Sequence, residues 1–173
     1  MSGKLELIDK TTISTSTNNV HIANVFSSKY DTYKIVVANL TSVDSSGSQV
    51  DLRFHDGTST ITANYNYCVI NQYASQAATG SISASTGSIL RFFGEIDGDA
   101  GKNSANVGYI FNPFGSGYTY AASESAMSAG SIVGQVKFSH GVLRNTGSMT
   151  GYVLRNPNRN YDEGTILTYG IAD

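Results

Sequence analysis

Every second residue of the stretch VDLRFHD (50–56) is apolar. Val50, Leu52 and Phe54 fall on one side of an extended chain, and Asp51, Arg53 and His55 fall on the other. A period of two is the signature of a half-buried strand and does not fit a helix. SIVGQVKFSH repeats the pattern and places Ile132, Val136 and Phe138 on the expected core face. YKIVVANL is a more continuous apolar run, as in a strand covered on both sides. KLELIDK, NVHIANVF, YNYCVINQY, SILRFFGEI, NVGYIFN, YTYAAS, MTGYVLR and GTILTYGI add further candidates. Roughly ten short strands with frequent turn signals predict an all-β fold, a single antiparallel β-sandwich, jelly-roll-like, spanning residues 1–173 as one domain.

The separators carry turn chemistry. DSSGSQ, HDGTST, DGDAGKNS and RNPNRNYDEG are rich in Asp, Asn, Gly and Ser. Residues 74–88, ASQAATGSISASTGS, read as a long surface loop or an edge hairpin, and SKYDTYK (28–34) has room for one helical turn. Asn112-Pro113 interrupts NVGYIFNPFGSGYTYAAS. Proline donates no hydrogen bond, so a ladder ends there, with Phe111 and Phe114 expected to plug one end of the sandwich.

Charged residues make up 14% of the chain, against roughly 25% in an ordinary soluble domain. Ser, Thr and 18 Gly fill the gap. The net charge of −2 gives no global attraction to nucleic acid or to an anionic membrane. No apolar run approaches the roughly 18 residues that span a bilayer, and the opening MSGKLELIDK alternates rather than reading as a signal peptide. Cys68 is the one cysteine, so the fold has no internal disulfide, and a small buried hydrophobe is its expected role.

The chain offers little catalytic chemistry. His21, His55 and His140 lie at no metal-ligand spacing, and Ser139-His140, adjacent on a strand, point to opposite faces. There is no G-x-S-x-G elbow and no phosphate-binding loop. Asp97, Asp99 and Asn103 offer oxygen ligands, but a polar hairpin turn explains them as well as calcium does. No catalytic residue, cofactor or metal site is expected. Two binding features remain. Ser125 to Tyr161 contains no acid but carries Lys137, Arg144, Arg155 and Arg159, a candidate docking patch for an acidic surface. Tyr65, Tyr67, Tyr73, Tyr118 and Tyr120 are candidate exposed recognition aromatics.

The order KLELIDKTTIS, NVFSSKYDTYKIVVANL, VDLRFHDG, YIFNPFGSG and GTILTYGIAD resembles small β-sandwich virion proteins and fibre-type domains of tailed bacteriophages, notably marine and cyanobacterial ones. The shared elements are F-S-x-x-Y-D-x-Y, I-x-N-P and a closing G-x-I-x-x-Y-G. The resemblance covers nearly the whole chain, and its motifs are structural. The resemblance implies a non-enzymatic protein of the virion surface, assembled in the host cytoplasm, as a capsid decoration or a fibre-like module. Its expected partners are other virion proteins, of capsid or tail, and itself, as a homo-oligomer that in fibre-like parts is a trimer. One alternative is a tail-fibre tip binding host-surface glycan. Another, of a different class, is a carbohydrate-binding module or β-sandwich glycan hydrolase. Neither nucleic acid binding nor membrane insertion is expected.

Overall fold

In the computed structural model, residues 4–43, 45, 47–73, 81–99, 104–129 and 132–172 are described, with the main chain alone at 81–83, 129, 132 and 133. Among these residues the alternating segments form twelve strands and no helix. They are β1 (Lys4–Ile13), β2 (Asn19–Ile22), β3 (Thr32–Leu40), β4 (Ser48–His55), β5 (Tyr65–Tyr73), β6 (Ser81–Gly87), β7 (Leu90–Ile96), β8 (Ser104–Phe111), β9 (Thr119–Ala129), β10 (Ile132–Leu143), β11 (Gly151–Arg155) and β12 (Gly164–Ala172). The SKYDTYK segment makes a turn at Ser28 and Lys29 and then enters β3. Of residues 74–88, 74–80 lie outside the described residues, and the rest supply β6, an edge strand paired with β5.

Two antiparallel sheets make a β-sandwich. The larger runs β1-β12-β3-β8-β9-β10-β5-β6 and the smaller β2-β11-β4-β7. Jelly-roll connectivity is not shown by this order. The core between the sheets holds Val50, Leu52 and Phe54, as their spacing predicts. Aromatic rings fill one end of it. Phe26 packs edge-on against Tyr33 at 4.7 Å and is stacked with Tyr152 at 5.8 Å, while Phe54 is stacked on Tyr65 at 6.3 Å. Offset and edge-on rings at such separations add to their area burial.

The F-S-x-x-Y-D-x-Y and I-x-N-P segments meet at this end. Phe26, Tyr30 and Tyr33, from F-S-x-x-Y-D-x-Y, are all buried. The Tyr33 hydroxyl accepts from the Ser27 N–H at 2.8 Å and donates to the Ser27 carbonyl at 3.0 Å. Asn112, just past β8, takes a left-handed φ of 55° and donates its N–H to the Asp31 carbonyl at 2.7 Å. Asn tolerates that conformation better than most residues, and Pro113 then ends the ladder. Phe114 packs on the core, but Phe111 does not. It closes β8 on the outward side and is 38% exposed, which corrects the expectation that both rings plug the end.

Gly151 sets how closely β11 approaches the chain leaving β2. A methyl group there would lie 2.3 Å from the Ile22 carbonyl oxygen and 3.0 Å from the Ala23 Cα. Both are backbone atoms and cannot rotate aside. Gly151→Ala is therefore expected to cost about 1–3 kcal/mol, the usual range for overpacking. Urea unfolding checks it, and a neutral result would mean that the loop after β2 is free to move.

Candidate functional site

The second layer over β9 and β10 is not a full sheet. It is β7, the edge of the smaller sheet, and its pairing with β4 shifts register twice. The main chain of β7 finds its partners in side chains of the larger sheet. Ser125 Oγ accepts from the Gly94 N–H at 2.9 Å, and the Lys137 ammonium donates to the Phe93 carbonyl at 2.6 Å. Ser123 Oγ donates to the Phe92 carbonyl and Ser139 Oγ to the Arg91 carbonyl. Register makes this a block, because Ser123 faces Ser139 and Ser125 faces Lys137 across β9 and β10. An unpaired strand edge needs such cover.

This seam turns β10 over relative to the sequence expectation. Gln135, Lys137 and Ser139 are buried, Phe138 is 38% exposed and Val136 is half-buried. The side chain of Ile132 lies outside the described residues. Burial has electrostatic consequences. It draws the Lys137 ammonium down to about 8, and it pushes the carboxyl of Asp51, on β4, up to about 6 against the attraction of Lys137, Arg155 and Arg91.

With the polar residues inside, apolar ones line the outer face of the larger sheet. Direct cross-strand partners share a face, so the face can be laid out in rows. One row runs Ile70, Phe138, Glu124, Val107, Val36, Leu167 from β5 to β12. The next runs Cys68, His140, Ala122, Tyr109, Lys34, Tyr169. Beyond the first row lie Val136, Ala126, Ala105 and Ala38, and beyond the second Val142, Tyr120 and Phe111. The exposed Leu5 and Leu7 of β1 extend the face, opposite Ile171 and Tyr169. A shallow depression of about 550 Å³ opens where the alanines lie, with Val36, Val107 and Glu124 at its walls. In these rows the acidic and basic side chains are Glu124, Lys34 and His140. Six strands at ~4.8 Å spacing and four rows at ~6.8 Å give about 800 Å² of plan area, with the polar Gln72, Thr165, Asn66 and Thr32 at its margins.

Set beside protein-family models, curated proteins and solved structures, the chain matches none of them.

The residues singled out from sequence are not brought together. Lys137 is buried in the seam and cannot dock on a surface, because the β7 carbonyl holds its ammonium. Arg144 is exposed just after β10, at the end where Gly151 faces His55. Arg155 closes β11 at the opposite end, half-buried opposite Asp51, and the exposed Arg159 follows in the next loop. The acid-free segment is therefore divided between two ends rather than forming one basic patch. Tyr65 is fully buried and not a recognition residue. Its hydroxyl accepts from the Phe54 N–H at 2.8 Å and donates to the Ile61 carbonyl at 3.1 Å. Tyr67 and Tyr73 are half-buried, whereas Tyr118 and Tyr120 are exposed. Cys68 is exposed on the outer face, not buried as expected. His140 and Ser139 do point to opposite faces. Asp97 is buried and its carboxylate accepts from the Asp99 N–H at 3.0 Å, while Asn103 lies outside the described residues. No group of three or more metal-ligating side chains occurs among the described residues.

Sequence reasoning missed the outer face because Val136 and Phe138 were assigned to the core. One signal could have found it. On β10 Gln135, Lys137 and Ser139 alternate with Val136 and Phe138, and the β9 residues Ser123 and Ser125 have the small hydroxyl side chains that could accompany a polar inner face.

Proposed function

We propose that this chain is a non-enzymatic structural protein of a bacteriophage particle, exposed on its surface as a capsid decoration or fibre-like module and acting by docking and self-association. The observation that carries the reading is the outer face of the eight-stranded sheet, broad, apolar and poor in charge. Such a surface resists association weakly and gains when covered. The resemblance of F-S-x-x-Y-D-x-Y, I-x-N-P and G-x-I-x-x-Y-G to phage structural domains supports the same reading. The first of these motifs builds an aromatic corner of Phe26, Tyr30 and Tyr33 in this fold.

Mass spectrometry of purified particles tests it. The protein is expected at a fixed copy number. A number comparable to that of the major capsid protein means a head protein, and a small fraction of it means a tail protein. Its absence from particles would overturn the assignment, and hydrolysis of a host polysaccharide by the purified chain would overturn the non-enzymatic part.

A further inference from the structure

We infer that the outer face of the eight-stranded sheet is a self-association surface, occupied by the same face of a second copy across a two-fold axis. The inference rests on the reading of the protein as an assembling component and names the surface and its partner.

Two observations point to a second copy. The first is area. The face offers about 800 Å² of plan area, which matches the ~800 Å² per partner of a standard stable interface. The second is charge. Glu124 lies on β9 in the row of Phe138, Val107 and Val36, and Lys34 lies on β3 in the adjacent row, opposite Tyr109. Two strand spacings and one row separate them by about 12 Å, too far to pair within one chain. The midpoint falls on β8, between Val107 and Tyr109. A two-fold axis lying in the plane of the face, through that midpoint and perpendicular to the line joining the two residues, places each copy's Glu124 over the other copy's Lys34. Isologous contacts are self-complementary in this way. Sheets packed face to face stand ~10 Å apart, within the joint reach of Glu and Lys. The two ion pairs then flank an apolar centre, and the alanine depression has room for larger side chains of the partner.

The test is sedimentation equilibrium of the full chain, with charge reversals. A dimer is expected at micromolar concentration. Glu124→Lys and Lys34→Glu each set like charges opposite one another and should weaken the dimer by at least about tenfold, since each 1.4 kcal/mol is a factor of ten. The double reversal should restore the affinity of the unaltered chain. Val107→Glu, at the centre, should give a monomer, with its folded state confirmed by an unchanged circular dichroism spectrum. Restoration is the decisive readout, because a fold merely damaged by one substitution would not be repaired by the other. A monomer at about 100 μM, far above a micromolar Kd, would overturn the inference. So would single reversals without effect, or a double variant no better than its parents. A monomeric chain whose face is protected from labelling only on particles would also overturn it, and would assign the face to another particle protein. A chain that is monomeric yet present on particles sinks this inference alone. A chain that dimerises but is absent from particles sinks the particle role alone.

Discussion

Lys137→Met is expected to destabilise the protein by about 3–5 kcal/mol, although methionine is the more apolar side chain. The ammonium of Lys137 is buried and donates to the Phe93 carbonyl at 2.6 Å, at the edge of the smaller sheet. Removing it strands that carbonyl, which alone costs about 1–3 kcal/mol. It also takes away the charge that most offsets the burial of Asp51. Breaking one member of a buried charged set falls in the 3–5 kcal/mol range, whereas replacing both members by apolar groups is often neutral. In urea unfolding, Lys137→Met combined with Asp51→Leu should therefore recover the part of the loss that comes from the uncompensated carboxylate, about 2 kcal/mol, while the Phe93 carbonyl stays stranded. A double variant as unstable as the sum of the singles would mean that the two groups do not interact.

The same groups set an unusual pH dependence. Asp51 is raised from 3.8 to about 6 in the fold, so between these values the native state holds the proton and the unfolded state does not. Its contribution is fully present below 3.8 and is lost as pH rises through about 6, by up to roughly 3 kcal/mol at 1.36 kcal/mol per pH unit. Lys137 is lowered from 10.5 to about 8, so its contribution is present above 10.5 and lost as pH falls through about 8. Together they are least favourable between about 6 and 8. The measurement is the stability difference between the unaltered chain and Asp51→Asn from about pH 4 to about pH 7. The unaltered chain should lose ground steadily across that range, and a flat difference would rule out a buried, titrating Asp51.

Phe54→Ala should cost about 3–5 kcal/mol. Phe54 is fully buried in β4, with its ring stacked on Tyr65 at 6.3 Å and tilted against Phe26 at 6.4 Å. The N–H of Phe54 itself donates to the Tyr65 hydroxyl at 2.8 Å, which holds the strand in place, so the site collapses poorly when the ring is removed. Phe138→Ala is the informative companion. Phe138 occupies the same kind of alternating position in sequence but faces outward, and its loss in the monomer should stay within about 0.5–1 kcal/mol. Equal losses at the two positions would mean that Phe138 lies in the core and that β10 is not inverted as the seam requires.

The alternation of VDLRFHD, the turn residues and the Asn112-Pro113 stop made the strand class, the inward set Val50, Leu52 and Phe54, and the end of β8 legible from sequence. These depend on neighbours in the chain: strand side chains alternate, Asp56 accepts from the Thr58 and Ser59 N–H groups at 2.8 and 2.7 Å, and a proline cannot continue a ladder. The orientation of β9 and β10 was not legible. Each strand alternates cleanly, and a period of two says that the faces differ without saying which is covered. Hydrophobicity alone chooses Val136 and Phe138 for the core, on the premise that the opposing layer is apolar. Here the opposing layer is the main chain of β7, whose N–H and C=O groups need hydroxyls and an ammonium, so Ser123, Ser125, Lys137 and Ser139 go inside. The tertiary structure alone decided that inversion, and with it the burial of Lys137, the exposure of Cys68 and the apolar outer face that carries Glu124 and Lys34.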